Sequence, residues 1–387
     1  MAKKKNEENS KPDLKAAASK FLSISKSKFK DMSKYGSVLS ESIYSEILEY
    51  IDTGSYALNR LISGSIYGGI PAGRVVSFYG DSGVGKSFAI GQAIRDAQEK
   101  GYLVIFYDTE NAITKTFMEN IGVDSSTMIY QPLDTVADFK NHVIHTVTDL
   151  KKEMPNQKIM IALDSMGNLS CEQEKGFIEK KTGQVTQGGR EREIKSMLKE
   201  LTKFCGLHQI PLVFTNHSMK PQDTAMAPQY VKDKQGGGKQ ATYMASATIL
   251  MTKKKLKADD ASTEDKKNAD GNKKVGNILV CESTKNRLCP EEEKIDIYLS
   301  FKTGPNRFYG LAEDAVSSGA FEKVNERNFI VKHLDKKIHI AKLYNKEVFT
   351  KDVLDQIDEY CKKTYVYSSL TASEDVEIDL GDEGQED

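Results

Sequence analysis

The sequence predicts an α/β fold: a mostly parallel, twisted sheet covered by helices on both faces, with a small N-terminal helical arm and a small C-terminal α+β lobe. Three observations carry this. Short apolar, β-branched runs alternate with helical patterns of roughly 10–20 residues between Arg74 and Lys254. Four of those runs end in polar residues, at Gly80–Ser87, Asp108–Glu110, Asp164–Ser165 and Asn216–His217. In parallel sheets ligands bind beyond the carboxyl ends of the strands, so this convergence marks a site. Both termini lack the alternation.

Residues 1–50 read as a basic arm leading into a helix, LKAAASKFLSISKSKFKDM, which Gly36 and the Ser-rich stretch after it break. IDTGSYALNRLISGSIYGGIPAGR then mixes a short helix with Gly and Pro turns. Strands are expected at RVVSFYG, YLVIFYDTE, MIYQ, KIMIALDSMGNL, IPLVFTNH and MASATILMTKK. Helices are expected at SFAIGQAIRDAQEKG, TKTFMENIGV, LDTVADFKNHVIHTVTDLKKEM and EREIKSMLKELTKFCGLH. The segment 253–274 has 13 charged residues in 22 and reads as an extended insertion between two strands. NILVCES and KIDIYLSF return as strands. Beyond Thr303 come a helix (GLAEDAVSSG), a short hairpin (FIVKHLDKKIHIAKLY) and a last helix (TKDVLDQIDEYCKK). The reading thus divides the chain into 1–50, arm; 51–305, core; 306–370, C-terminal lobe; and 371–387, acidic tail.

With 387 residues there is ample chain for one large core and an appended piece. Hydrophobic residues make up 39% and charged residues 29%, a soluble balance, and no apolar run approaches the roughly 18 residues of a membrane helix. The basic N-terminus has no apolar stretch behind it and is not a secretory signal. Five cysteines without a C-x-x-C pair argue against a disulfide framework or zinc site and for a reducing cytoplasm. Residues 1–30 carry nine Lys against three acids, and the last 14 residues carry eight acids and no base. That polarity fits a protein that meets a polyanion and is moderated by its own tail; it fits equally two solvated ends that keep the chain soluble.

The strongest chemical signal is Gly80-Asp81-Ser82-Gly83-Val84-Gly85-Lys86-Ser87, a full G-x-x-x-x-G-K-[ST] between a strand and a helix. Such a loop curls its N–H groups around phosphate oxygens at a helix N-terminus. Lys86 reaches the β/γ-phosphates and the Ser87 hydroxyl ligates Mg²⁺, which makes ATP and Mg²⁺ the expected cofactors. Asp164, ending the run IMIAL, is the partner carboxylate, holding the ion through water. Glu110 ends what reads as the strand beside the loop strand, 24 residues after Lys86, where it can act as general base toward water. The alternatives are a helix cap for Asp164 and a surface residue opening a helix for Glu110. Two long segments leave the same edge of the sheet. QVTQGGRERE is a Gly-containing basic loop, and SMKPQDTAMAPQYVKDKQGGGKQATYMAS carries scattered Lys and a Gly triplet. Gly-rich helix starts can hold DNA phosphates, although stacking aromatics are scarce there.

These pieces resemble the RecA family of recombinases. The resemblance runs through IDTGSYALNRLISGSIYGGIPAGRVVSFYGDSGVGKS, FYDTENAIT, IALDS, LVFTNH, GGGKQATYMASATILM and TKNR over about 51–310, and is greatest to the UvsX-type recombinases of T-even-like phages. It implies a RecA-like P-loop NTPase core and an ATP-driven helical filament on single-stranded DNA that pairs with homologous duplex. A mediator and a single-strand binding protein are further candidate partners, and no membrane is involved. For a phage-encoded chain the compartment is the bacterial host cytoplasm. Glu110 would be the catalytic glutamate, Phe117 the aromatic on adenine, and His217 the strand-end sensor that couples γ-phosphate to the second DNA loop. The first DNA loop would be 183–192, with Arg190, and the second 218–238, with Gly236 near its end and Lys239 just past it; Arg192, Lys199, Gly237 and Gly238 match positions that hold the DNA backbone. Lys285 and Arg287 match a Lys-x-Lys pair that crosses to the neighbour's ATP; Arg for the second Lys keeps the charge and changes the geometry. The basic N-terminus would pack on the neighbouring subunit.

Two other classes share some of these features: a RecA-fold motor without strand exchange, either helicase-like and ring-shaped or clock-type, and a non-catalytic DNA scaffold. A helicase is expected to bring a primase- or loader-binding domain, and none is visible; a scaffold has no need of both Glu110 and Asp164.

Overall fold

The computed structural model describes residues 13–29, 36–42, 44–171, 174, 188–219, 234–235, 239–254 and 276–367. Helix α1 (Leu14–Lys28), capped by the Asp13 carboxylate, buries none of its residues. A two-residue ladder of β1 (Tyr50–Ile51) and β2 (Ile70–Pro71) brackets α2 (Tyr56–Ser63). Then follow β3 (Val75–Gly80), α3 (Lys86–Glu99), β4 (Tyr102–Asp108), α4 (Lys115–Asn120), β5 (Met128–Pro132), α5 (Val136–Glu153) and β6 (Lys158–Asp164). Next come α6 (Gly189–His208), β7 (Leu212–Met219), β8 (Lys234–Gln235), α7 (Lys239–Met244), β9 (Ala247–Lys254), β10 (Gly276–Asn286), β11 (Lys294–Ser300) and β12 (Gly304–Pro305). The remainder is α8 (Ala312–Ser317), β13 (Phe321–Asn325), β14 (Asn328–Val331), β15 (Lys336–His339) and α9 (Lys351–Tyr365).

The main sheet runs β12-β11-β10-β9-β3-β7-β6-β4-β5, with β8 pairing off β7. From β9 to β5 every neighbour is parallel. The central strands are unbroken apolar runs because both faces are covered: every residue of β3 is buried, and β6 is exposed only at Lys158. On one face α2 and α3 pack with residues of the C-terminal lobe in a single apolar cluster. On the other, α5 and α6 cover Ile105, Ile161 and Phe214. Helix α5 shows the local logic. The Thr135 hydroxyl caps it by accepting from the Asp138 N–H, and Val136, Phe139, Val143 and Val147 form its buried stripe. Among the described residues, no helix is long and apolar enough to cross a membrane.

The expected mostly parallel sheet is present, with several corrections. Strand β4 is not beside β3; β7 and β6 lie between them. Helix α6 starts at Gly189, two residues before the expected EREIKSMLKELTKFCGLH, so Arg190 joins Arg192 in the helix and the first loop does not run to 192. Strand β7 runs on through Met219 and pairs with β8, so the second loop does not begin at Ser218. Strand β10 extends to Asn286, putting Lys285 within it, past a register shift. The lobe's hairpin is a three-stranded meander, β13-β14-β15. Residues 183–187 of the first loop, Gly236, Gly237, Gly238, nearly all of the 253–274 insertion and the acidic tail lie outside the described residues.

Asp358 of α9 ties the lobe to the turn after α2. It is buried and accepts from the Ser65 hydroxyl at 2.6 Å and the Ile66 N–H at 2.9 Å, and it pairs with Lys362 at 2.7 Å. Asp358→Ala strands two buried donors and is expected to cost about 1–3 kcal/mol. The check is the urea midpoint by circular dichroism; an unchanged midpoint means water replaces the carboxylate without loss.

Candidate nucleotide site at the carboxyl edge of the sheet

The strand ends lie level. Gly80 is in register with His217, and Asp108 with Asp164. Between β3 and α3 the P-loop needs its glycines for two reasons. Gly85 sits at φ 88°, and a Cβ there would meet Leu279 Cδ1 at 2.8 Å. A Cβ on Gly80 would collide with the Met251 carbonyl. No side chain caps α3, which leaves its first N–H groups facing out of the loop. Lys86 Nζ donates to the Gly80 and Asp81 carbonyls at 2.9 and 2.8 Å. Burial pushes this ammonium below its ordinary pKa, against the pull of Asp164, Glu110 and Asp81.

The Ser87 hydroxyl donates to Asp164 Oδ2 at 2.6 Å, and the Thr215 hydroxyl donates to Oδ1. Burial raises the Asp164 pKa. The two hydroxyls oppose that shift, and Glu110 and Asp108 add to it by repulsion. A hydroxyl and a carboxylate side by side are hard oxygen donors that suit Mg²⁺.

Glu110 arrives from β4 by a local device. Asp108 Oδ1 accepts from the Glu110 and Asn111 N–H groups, both at 2.8 Å, and this turns the chain back over the edge. Thr109 clasps the end of β6: its N–H donates to the Asp164 carbonyl at 2.9 Å and its hydroxyl to the Ser165 carbonyl at 2.8 Å. Glu110 Oε1 then accepts from the Ser165 hydroxyl at 2.7 Å and lies 2.9 Å from His217 Nε2. Burial alone would raise the Glu110 pKa. The Ser165 and His217 contacts and the Lys86 charge outweigh it and hold the carboxyl below its usual range. One residue past His217, the Ser218 hydroxyl donates to the Asp81 carboxylate, which ties the P-loop to the end of β7.

These groups open onto a cavity of about 860 Å³, within the size range of small-molecule sites. Lys86, Ser87, Asp164, Glu110 and His217 line it. Phe117 and Phe88 line it as well, their rings edge-to-face at 6.5 Å. The chain belongs to the RecA family. The RecA N-terminal domain model matches residues 22–304. Similar proteins include the recombination and repair protein of Enterobacteria phage T4, 24% identical over 74% of this chain and 68% of its own length. Protein RecA of Thermotoga maritima is 25% identical over 74% and 73%, and that of Streptomyces rimosus 26% over 72% and 67%.

The structure of this RecA-family chain brings together Asp81, Ser82, Gly83, Val84, Gly85, Lys86, Ser87, Glu110, Phe117, Asp164 and His217 around or under one cavity. Other candidates lie elsewhere. Arg190 is half-buried on α6 and donates to the Gly167 carbonyl, just past β6. Arg192 and Lys199 are exposed on the same helix. Lys285 Nζ donates to the Tyr243 carbonyl at 2.6 Å and to that of Ala245; Arg287 donates to Tyr243 at 2.8 Å. Burial, with Arg287 beside it, holds Lys285 down at about 8. Lys239 opens α7. The sequence reading missed Thr215, Ser165 and Thr109, and also the far wall of the cavity, Asn277 with 300–305. A hydroxyl inside the buried run PLVFTNH was a usable signal for Thr215; no motif marks the wall.

Thr215→Val keeps the shape and removes one donor to Asp164. The expected result is Mg²⁺-dependent nucleotide affinity lower by roughly tenfold or more, matching the loss of about 1.5–3 kcal/mol for a hydrogen bond to a charged group. Titration of a fluorescent ATP analogue at several Mg²⁺ concentrations reads this; wild-type affinity throughout would show that Ser87 alone is enough to hold Asp164.

Proposed function

We propose that this chain is an ATP-dependent recombinase. It assembles as a helical filament on single-stranded DNA, pairs it with homologous duplex and exchanges strands, in recombination, repair and replication, in the cytoplasm. The similarity to the phage T4 recombination and repair protein supports this reading, as does that to the RecA relatives. The observation that carries it is the Glu110–His217 contact at 2.9 Å. It joins the group that faces water at the γ-phosphate to the strand that leads into the second DNA segment. A motor lacking strand exchange is not favoured by these relatives.

In this reading the 80–87 loop and Lys86 hold the phosphates, and Phe117 packs on the base. Ser87, and Asp164 through water, would hold a Mg²⁺ ion, which would supply positive charge against the phosphates. Glu110 accepts a proton from water as the water oxygen bonds to the γ-phosphorus and the bond to the bridging oxygen breaks. His217 and Ser165 fix the orientation of that carboxylate. Arg190, Arg192, Lys199, 236–238 and Lys239 face DNA, while Lys285 and Arg287 reach the neighbour's nucleotide. Residues 1–50 contact the next subunit, 51–305 form the ATPase core, 306–370 the lobe and 371–387 the tail. A mediator and a single-strand binding protein would load and clear the strand.

ATP hydrolysis measured with and without single-stranded DNA tests the reading. Turnover should rise strongly with DNA, with helical filaments in electron micrographs; rings with DNA-independent turnover would favour a motor.

A further inference from the structure

The far wall of the cavity is thinly held by its own sheet. Strand β12 (Gly304–Pro305) is the outer edge of that sheet and joins β11 through two residue pairs. The wall nevertheless stands close to the ring pair. A Cβ on Gly304 would meet Phe88 Cζ at 3.3 Å, and Phe88 packs edge-to-face on Phe117. Two residues past the wall, Arg307 fixes the chain. Its Nη1 donates to Asp52 Oδ1 at 3.2 Å and its Nη2 to Oδ2, a two-pronged pair. Its guanidinium lies 4.2 Å from the centre of the Tyr56 ring, and its carbonyl accepts from the Tyr56 N–H at 3.1 Å. Asp52 is held in turn. Its Oδ1 accepts from the Gly54 N–H at 2.6 Å, and its own N–H donates to Asp96 Oδ2 at 2.7 Å. Asp96 belongs to α3, the helix that carries Lys86, Ser87 and Phe88. Arg307 and Gly54 line the same cavity.

We propose that the Arg307–Asp52 pair is a clamp that positions the Gly304–Pro305 wall against Phe88, and so sets the slot that takes the base of ATP. Arg307 is a positioning residue. Its guanidinium is committed to Asp52 and Tyr56, and it acts on the nucleotide through the wall. The inference rests on the reading of Phe117 as the base contact. An edge strand freed from α3 opens the slot, and the base loses close contacts on one side. The P-loop holds the phosphates independently of the clamp.

The experiment compares Arg307→Met with wild type in the full chain. Methionine keeps an apolar stem beside Tyr56 and removes every donor to Asp52. Calorimetric titration with Mg²⁺ gives the affinity for a non-hydrolysable ATP analogue and for inorganic tripolyphosphate, which has no base. The variant should bind the ATP analogue roughly tenfold more weakly, the scale of one hydrogen bond between charged groups, and tripolyphosphate as wild type does. Arg307→Lys keeps the charge without the fork and should fall between the two. Asp52→Asn keeps an oxygen for the Gly54 N–H and should show the same selective loss, and the double variant should lose no more than the larger single. Wild-type affinity for the ATP analogue in Arg307→Met overturns the clamp. Equal losses for both ligands, or losses that add in the double variant, also overturn it, since they mark general damage or two unrelated residues. Wild-type protein that binds tripolyphosphate as tightly as the ATP analogue overturns the base-contact reading itself.

Discussion

Glu110→Gln should leave ATP binding intact and cut turnover by a factor on the order of 10² or more. The amide oxygen can still accept from Ser165 and stay near His217, so the turn built on Asp108 and Thr109 is undisturbed. In the proposed mechanism, what is lost is the anion that would take a proton from water. The wild-type carboxyl is held below its usual pKa range, so it is ionised throughout the neutral region and ready to act as base. Phosphate release gives the turnover, and a fluorescent ATP analogue gives the affinity. Turnover near wild type would reduce Glu110 to a structural acceptor. Loss of affinity together with turnover would show that its charge serves mainly to position Lys86.

A comparably large effect is expected at the far side of the protomer. Neither Lys285 nor Arg287 lines the cavity of its own chain; Lys285 donates to the carbonyls of Tyr243 and Ala245, and Arg287 to that of Tyr243. Cations that meet the neighbour's γ-phosphate would stabilise the charge spread over it during transfer, as an arginine finger does, a contribution of roughly 10³-fold or more. Lys285→Ala/Arg287→Ala should therefore lose DNA-stimulated turnover at about that scale while keeping nucleotide affinity. Mixed on DNA with Lys86→Ala, it should recover part of the activity, because one class of interface then combines a working P-loop with intact cations. Mixtures that co-assemble and stay inactive would place both residues outside the chemistry.

The P-loop and Asp164 were legible because their signals are local: a spacing, and an apolar run ending in a carboxylate; Phe117 was singled out only through the family resemblance. Glu110 was legible as a residue, but the route by which it reaches the site was not. Adjacent strands in sequence suggested adjacent strands in space, whereas β7 and β6 separate β4 from β3, and the Asp108 turn and the Thr109 clasp carry Glu110 across. The far wall was invisible because β10 to β12 reach the cavity only through antiparallel pairing with β9. Arg190 read as a loop residue since Gly188 and Gly189 suggested a turn; Gly188 is indeed left-handed, yet the helix starts directly after it.

Joint-molecule formation tests the central claim most directly. A labelled single strand is incubated with a homologous duplex, ATP and Mg²⁺, beside a heterologous duplex as control. The expected result is joint molecules with the homologous duplex only, absent without nucleotide and absent with Lys86→Ala. DNA-stimulated ATP hydrolysis with no joint molecules under any of these conditions would contradict a strand-exchange function.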